Sequence, residues 1–160
     1  MAYFAALLAR SGSGWTVSDL DLDEVEDLDS LTEIMRESVE DDETALLLLE
    51  QEDSWFGVVR VDGEDDPRVF VSDPSAAARS AYGEILLSAE GIDYEEDEYD
   101  DEEESRPPSA PVGDSELLAD LGTSEAELLG MVNEDGLLPT DALDRIAAKL
   151  GCAEELESLR

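Results

Sequence analysis

Ala45-Leu46-Leu47-Leu48-Leu49 is followed by Trp55-Phe56-Gly57-Val58-Val59-Arg60-Val61 and then by Arg68-Val69-Phe70-Val71. The first is a short, unbroken apolar run, as expected of a strand buried on both faces. The second is rich in β-branched and aromatic residues, which fit a pleated, packed surface. Asp62-Gly63-Glu64-Asp65-Asp66-Pro67 stands before the third and has the residues of a turn. Strands joined by short loops pair antiparallel. A strand with no polar face needs cover on both sides, so helices are expected on both faces of the sheet.

Upstream, Tyr3 to Ala9 is a second continuous apolar run, and Trp15-Thr16-Val17-Ser18-Asp19-Leu20 alternates as a half-buried strand does. Ser11-Gly12-Ser13-Gly14 between them reads as a hairpin turn. It is not a phosphate loop, because no Gly-Lys-Ser/Thr follows and no helix starts there. From Asp21 to Val39 the apolar residues Val25, Leu28, Leu31, Met35 and Val39 recur at helical spacing, with acids on the other face. Downstream, Asp73 caps a helix that Pro74 opens and that continues through Ala76, Ala77, Ala78, Tyr82, Ile85 and Leu86. The expected fold is α+β: an antiparallel sheet of about five strands with helices on both faces. Its order is strand-strand-helix-strand-strand-strand-helix, longin- or profilin-like by analogy.

Three regions are expected. Residues 1–89 form the α+β domain. Residues 90–113 form an acidic, proline-containing disordered linker. Residues 114–160 form a small helical domain. The linker contains Asp93-Tyr94-Glu95-Glu96-Asp97-Glu98-Tyr99-Asp100-Asp101-Glu102-Glu103-Glu104, then Arg106-Pro107-Pro108. Like charges this dense resist packing, and prolines favour extended backbone. Asp93 to Glu104 reads either as a solvated spacer or as a docking segment for a basic protein, with Tyr94 and Tyr99 as anchors. In the last region Leu117, Leu118 and Leu121 precede a capping box, Ser124 to Glu127. Thr140 is expected to cap a final helix that carries Leu143, Ile146, Ala147 and Leu150 and ends at Gly151. Docking of these helices on the first domain, or on a partner, would bury their apolar faces.

Of the 160 residues, 45 are acidic and 9 basic, for a net charge of −36. Apolar residues still make up 42%, so the chain is acidic without being too polar to fold. The charge excludes a surface that grips bare DNA or RNA, and one that clings to anionic membranes. The absence of His removes imidazole from metal ligation and from proton transfer near neutral pH. The single Cys152 excludes an internal disulfide and a Cys-rich zinc site. It reads as a small buried residue, and a reducing cytoplasm as the location. No leader is visible, since no basic residue precedes the apolar start.

Asp19-x-Asp21-x-Asp23 resembles the start of a calcium loop. Glu24 and Ser30 stand where such a loop needs Gly and then Glu, so no metal is expected. Asp41-Asp42 and Asp65-Asp66 offer paired carboxylates, but no nucleophile or phosphate loop accompanies them. No catalytic residue and no cofactor is assigned.

Several stretches together resemble a known family. They are Met1 to Arg10, the acidic helix Asp21 to Glu37, and Asp66-Pro67-Arg68-Val69-Phe70-Val71-Ser72-Asp73. They continue with Leu117 to Gly122, Leu138-Pro139-Thr140-Asp141-Ala142-Leu143 and Ala147 to Gly151. The pattern is similar to the tRNA adenosine deaminase-associated proteins of actinobacteria. The chain lacks the His-x-Glu and Pro-Cys-x-x-Cys set that a zinc deaminase needs, so it is not the deaminase. The resemblance implies a non-enzymatic accessory role, with the basic tRNA-binding surface of the deaminase as the complement to an acidic partner. Its oligomeric state is left open. The alternative is a nucleic-acid mimic that blocks a DNA- or RNA-binding protein.

Overall fold

A computed structural model describes residues 4–11, 14–20, 25, 27–39, 43–51, 55–63, 67–77, 83–86, 112–113, 115–133 and 138–159. The expected strands form one antiparallel sheet: β1 (Phe4–Ser11), β2 (Gly14–Asp19), β3 (Thr44–Gln51), β4 (Trp55–Asp62) and β5 (Arg68–Val71). A two-residue strand, β6 (Val112–Gly113), extends it, giving the order β2-β1-β3-β4-β5-β6. The long apolar runs sit in the middle. In β3 every residue from Ala45 to Gln51 is buried, and in β4 every residue from Trp55 to Val61.

Alternation along each strand sends side chains to two separate cores. One contains Leu7, Leu47, Leu49, Trp55, Val59 and Val71, closed by Leu31 and Met35 of α1 (Leu28–Glu37) and by Ala77 and Leu86. Ala77 ends α2 (Pro74–Ala77), and residues 83–86 are also helical. The other contains Leu8, Leu46, Leu48, Phe56, Val58 and Phe70. It is closed by Leu117, Leu118 and by helices α3 (Glu125–Asn133), α4 (Pro139–Leu150) and α5 (Ala153–Leu159). The C-terminal helices thus dock on the sheet face opposite α1 and share its core. Burying a Leu or Phe side chain contributes about 1.5–3 kcal/mol, so this face is a major source of stability.

Two helix starts differ from the sequence reading. The first helix begins at Leu28, well inside the periodic stretch, because Asp27 caps it by accepting a 2.9 Å bond from the Ser30 amide. Residues 21–24 lie outside the described residues. Thr140 is not a cap. Pro139 already occupies the first turn of α4, and the Asp141 carboxylate accepts the Leu138 amide at 3.4 Å. The expected caps at Asp73, Ser124 and Gly151 are present. Asp73 accepts the Ala76 amide at 3.3 Å. Ser124 and Glu127 exchange bonds of 3.2 and 3.1 Å. Gly151 turns left-handed at φ 89°.

Candidate interaction surface

α1 lies on the sheet through Leu31, Thr32 and Met35, all buried. Its opposite side presents Asp29, Glu33 and Glu37, each exposed. They stand four residues apart, so one helical face carries three carboxylates in line. Arg36 is half-buried on the same helix. Its Nε donates to the Gly63 carbonyl at 3.0 Å, which ties α1 to the turn after β4. Asp27, the exposed N-cap, turns its carboxylate onto the Ser30 amide, which holds that carboxyl below the usual range.

A second cluster joins the sheet to the C-terminal layer. Arg60 shares the inward period of Phe56 and Val58 on β4 and is only 6% exposed. Its Nε donates to Asp62 at 2.9 Å. Its Nη1 donates to the Leu117 carbonyl and to Asp120 Oδ1, both at 2.6 Å. Nη2 donates to Asp120 Oδ2 at 3.1 Å. The hydrogen bond to Asp120, with the nearby Asp62 charge, pushes the guanidinium pKa up despite burial. Arg60 holds the Asp120 carboxyl below the usual range. All three guanidinium nitrogens are engaged by these groups, so the cluster acts as a brace. Across the sheet, the Thr140 hydroxyl donates to the buried Glu50 carboxylate at 2.7 Å. On the outer surface Lys149 bonds Glu127 at 2.8 Å, tying α4 to α3.

Asp93, Tyr94, Glu95, Glu96, Asp97, Glu98, Tyr99, Asp100, Asp101, Glu102, Glu103 and Glu104 lie outside the described residues. So do Asp41, Asp42, Asp65 and Asp66. Among the described residues no group of three or more His, Cys, Asp or Glu is placed to hold a metal ion. No helix among them is long and apolar enough to cross a membrane. Cys152 is buried, and desolvation with the nearby Glu155 pushes its thiol up to about 11.

A polar surface of carboxylate rows, set on a single sheet between two helical layers, defines an acidic α+β protein. Residues 3–153 match the profile of the Rv3753c-like tRNA adenosine deaminase-associated proteins, and the chain belongs to that family. It is similar to Protein Rv3753c of Mycobacterium tuberculosis, 31% identical over 112 residues. That match covers 70% of this chain and 61% of the relative, so the chain spans less than two thirds of the relative's length. No solved structure matches.

Proposed function

We propose that this chain is a non-enzymatic accessory protein of the cytoplasm that docks through its acidic surface on a basic protein. By the family description, the first partner to test is tRNA adenosine deaminase. The observation that carries the reading is the α1 row of Asp29, Glu33 and Glu37, exposed together in a chain of net charge −36. Like charges four residues apart cost a helix stability, and a cationic partner reverses the sign of that term. In this reading Asp93 to Glu104 adds long-range attraction, and Tyr94 and Tyr99 add contact area once the partner arrives. Isolated tRNA is not bound, because a polyanion meets no phosphate-neutralising patch.

The test is surface plasmon resonance of the full chain against purified deaminase over a salt series. The on-rate should fall steeply as the Debye length shrinks from about 10 Å at 0.1 M to about 3 Å at 1 M salt. Replacing the acids of Asp93 to Glu104 by Ser or Asn should slow association. Replacing Tyr94 and Tyr99 by Ser should speed dissociation. No binding at low salt would sink the deaminase as partner. Capture of several unrelated nucleic-acid-binding proteins would favour the mimic instead.

A further inference from the structure

β2 is the outermost strand on its side of the sheet. Its pairing with β1 runs from Ser11↔Gly14 to Ala6↔Asp19. The Leu20 amide bonds the Ala5 carbonyl at 3.1 Å, which fixes the phase of the ladder. Residues opposite one another alternate between hydrogen-bonded and non-bonded pairs. Thr16 and Ser18 therefore bond to β1, through Ala9 and Leu7, while the amides and carbonyls of Trp15, Val17 and Asp19 point away from the sheet. Among the described residues, no strand and no backbone hydrogen bond occupies that edge.

Sheet edges are ordinarily blunted by Lys, Pro, a bulge or extreme shortness. The opposite edge is blunted in this way, since β6 has two residues. β2 has six residues, Gly-Trp-Thr-Val-Ser-Asp, with no Lys, no Pro and an unbroken register. Its neighbourhood is acidic on two sides. Asp19 is exposed on the strand, and α5, packed on β2, exposes Glu154, Glu155 and Glu157. Arg10, on the paired strand β1, is stacked over the Trp15 ring at 5.4 Å.

We propose that the β2 edge is a strand-addition site for an extended, Lys/Arg-bearing segment of a protein partner. The outward groups of Trp15, Val17 and Asp19 make the ladder bonds, and the flanking carboxylates select a basic strand. A second copy of this chain is disfavoured as occupant, because each copy brings a charge of −36 and an acidic rim to the seam. The site deepens the accessory reading above and rests on it for the identity of the partner.

The test uses the full chain and Val17→Pro. The Val17 amide bonds nothing in β1, so proline there leaves the β1–β2 ladder intact while blocking the seam. Thr16→Lys, which places a cation beside the seam, is the second variant. Hydrogen exchange is followed with the deaminase and with an alternating Lys/Val peptide of about ten residues. Either probe should slow exchange at Trp15, Val17 and Asp19 by about tenfold or more. Both variants should weaken binding by about tenfold or more, with unfolding midpoints near wild type. Deaminase binding with protection elsewhere, unchanged by either variant, would overturn the edge site and leave the accessory reading standing. No deaminase binding, with peptide protection at the three amides, would support the edge and overturn the deaminase as partner. Failure of both probes to protect the edge would overturn the site. Protection that rises with protein concentration alone, together with a doubled mass in sedimentation, would assign the edge to a second copy and overturn the proposal.

Discussion

Arg60 on β4 and Asp120 in the 3-10 turn Ala119–Leu121 meet fork to fork, at 2.6 Å and 3.1 Å, across the seam between the sheet and the C-terminal layer. Arg60 is almost wholly buried, whereas the Asp120 side chain is 66% exposed. The pair therefore sits at the rim of the C-terminal layer, with its cation inside and its anion at the surface. Asp62 and the Leu117 carbonyl hold the inner side of the same guanidinium.

Asp120→Ala should destabilise the protein by about 1.5–3 kcal/mol, the range for a charge-assisted hydrogen bond to a buried group. Asp120→Asn should cost less, because its carbonyl still accepts one bond. The folded Asp120 carboxyl titrates below its ordinary value of 3.8. Its stabilisation is therefore fully present above that value and is lost as pH falls through the lower, folded-state value. Urea unfolding of wild type and Asp120→Asn should differ most near neutral pH and converge in strong acid. A gap that widened below pH 3.8 would reverse the assignment.

Two glycines should respond oppositely to alanine. Gly113 sits at φ +103°, and a Cβ there would lie 2.1 Å from the Val69 carbonyl oxygen. Gly113→Ala should cost about 1–3 kcal/mol through backbone strain and loss of β6 pairing. Gly130 lies inside α3, and a Cβ there would meet nothing within 4 Å. Gly130→Ala should stabilise by about 0.5–1 kcal/mol. Thermal unfolding of the two variants decides both.

Glu33→Lys would place a cation four residues from Asp29 and from Glu37, converting two repulsions into two attractions. Stability should rise by about 0.5–1 kcal/mol at low salt, and the gain should fade as salt screens it. Association with a basic partner should slow at the same time. A variant that is more stable yet associates as fast as wild type would remove α1 from the docking surface.

Cys152 should resist alkylation at pH 8 in the folded protein, since burial and a pKa of about 11 leave it as thiol. Iodoacetamide should label it rapidly only in denaturant, with mass spectrometry as the readout. Fast labelling of the native chain would mean that the cover formed by α5 opens readily.

The sheet was legible because its central strands are written as unbroken apolar runs, which admit few alternatives once the turn residues are marked. Helix caps at Asp73, Ser124 and Gly151 were legible for the same local reason. The start of α1 was obscured because apolar periodicity continues upstream of the residue that caps it. β6 has two residues and no pattern to detect. Thr140 looks like a cap by type, but its hydroxyl serves a buried carboxylate on β3, a contact 90 residues away that no local rule reaches. Arg60 did leave a signal, an inward position on the period of Phe56 and Val58, although its partners come from another layer. The α1 row could be read from spacing, and its exposure had to be seen in the fold. The β2 edge needed the strand order, which depends on pairing between distant segments.

The placement of the last helices on the first strands sets an order of assembly during synthesis. β1 to β5 are complete by residue 71, yet Leu8, Leu46, Leu48, Val58 and Phe70 lack the cover of Leu117, Leu118, α3, α4 and α5 until those later residues are made. Throughout that interval a nascent chain would carry an incompletely covered apolar sheet face beside an edge strand, a combination prone to misassociation. Its abundant carboxylates then have a further use, since strong mutual repulsion between nascent chains keeps those faces apart until the final layer closes.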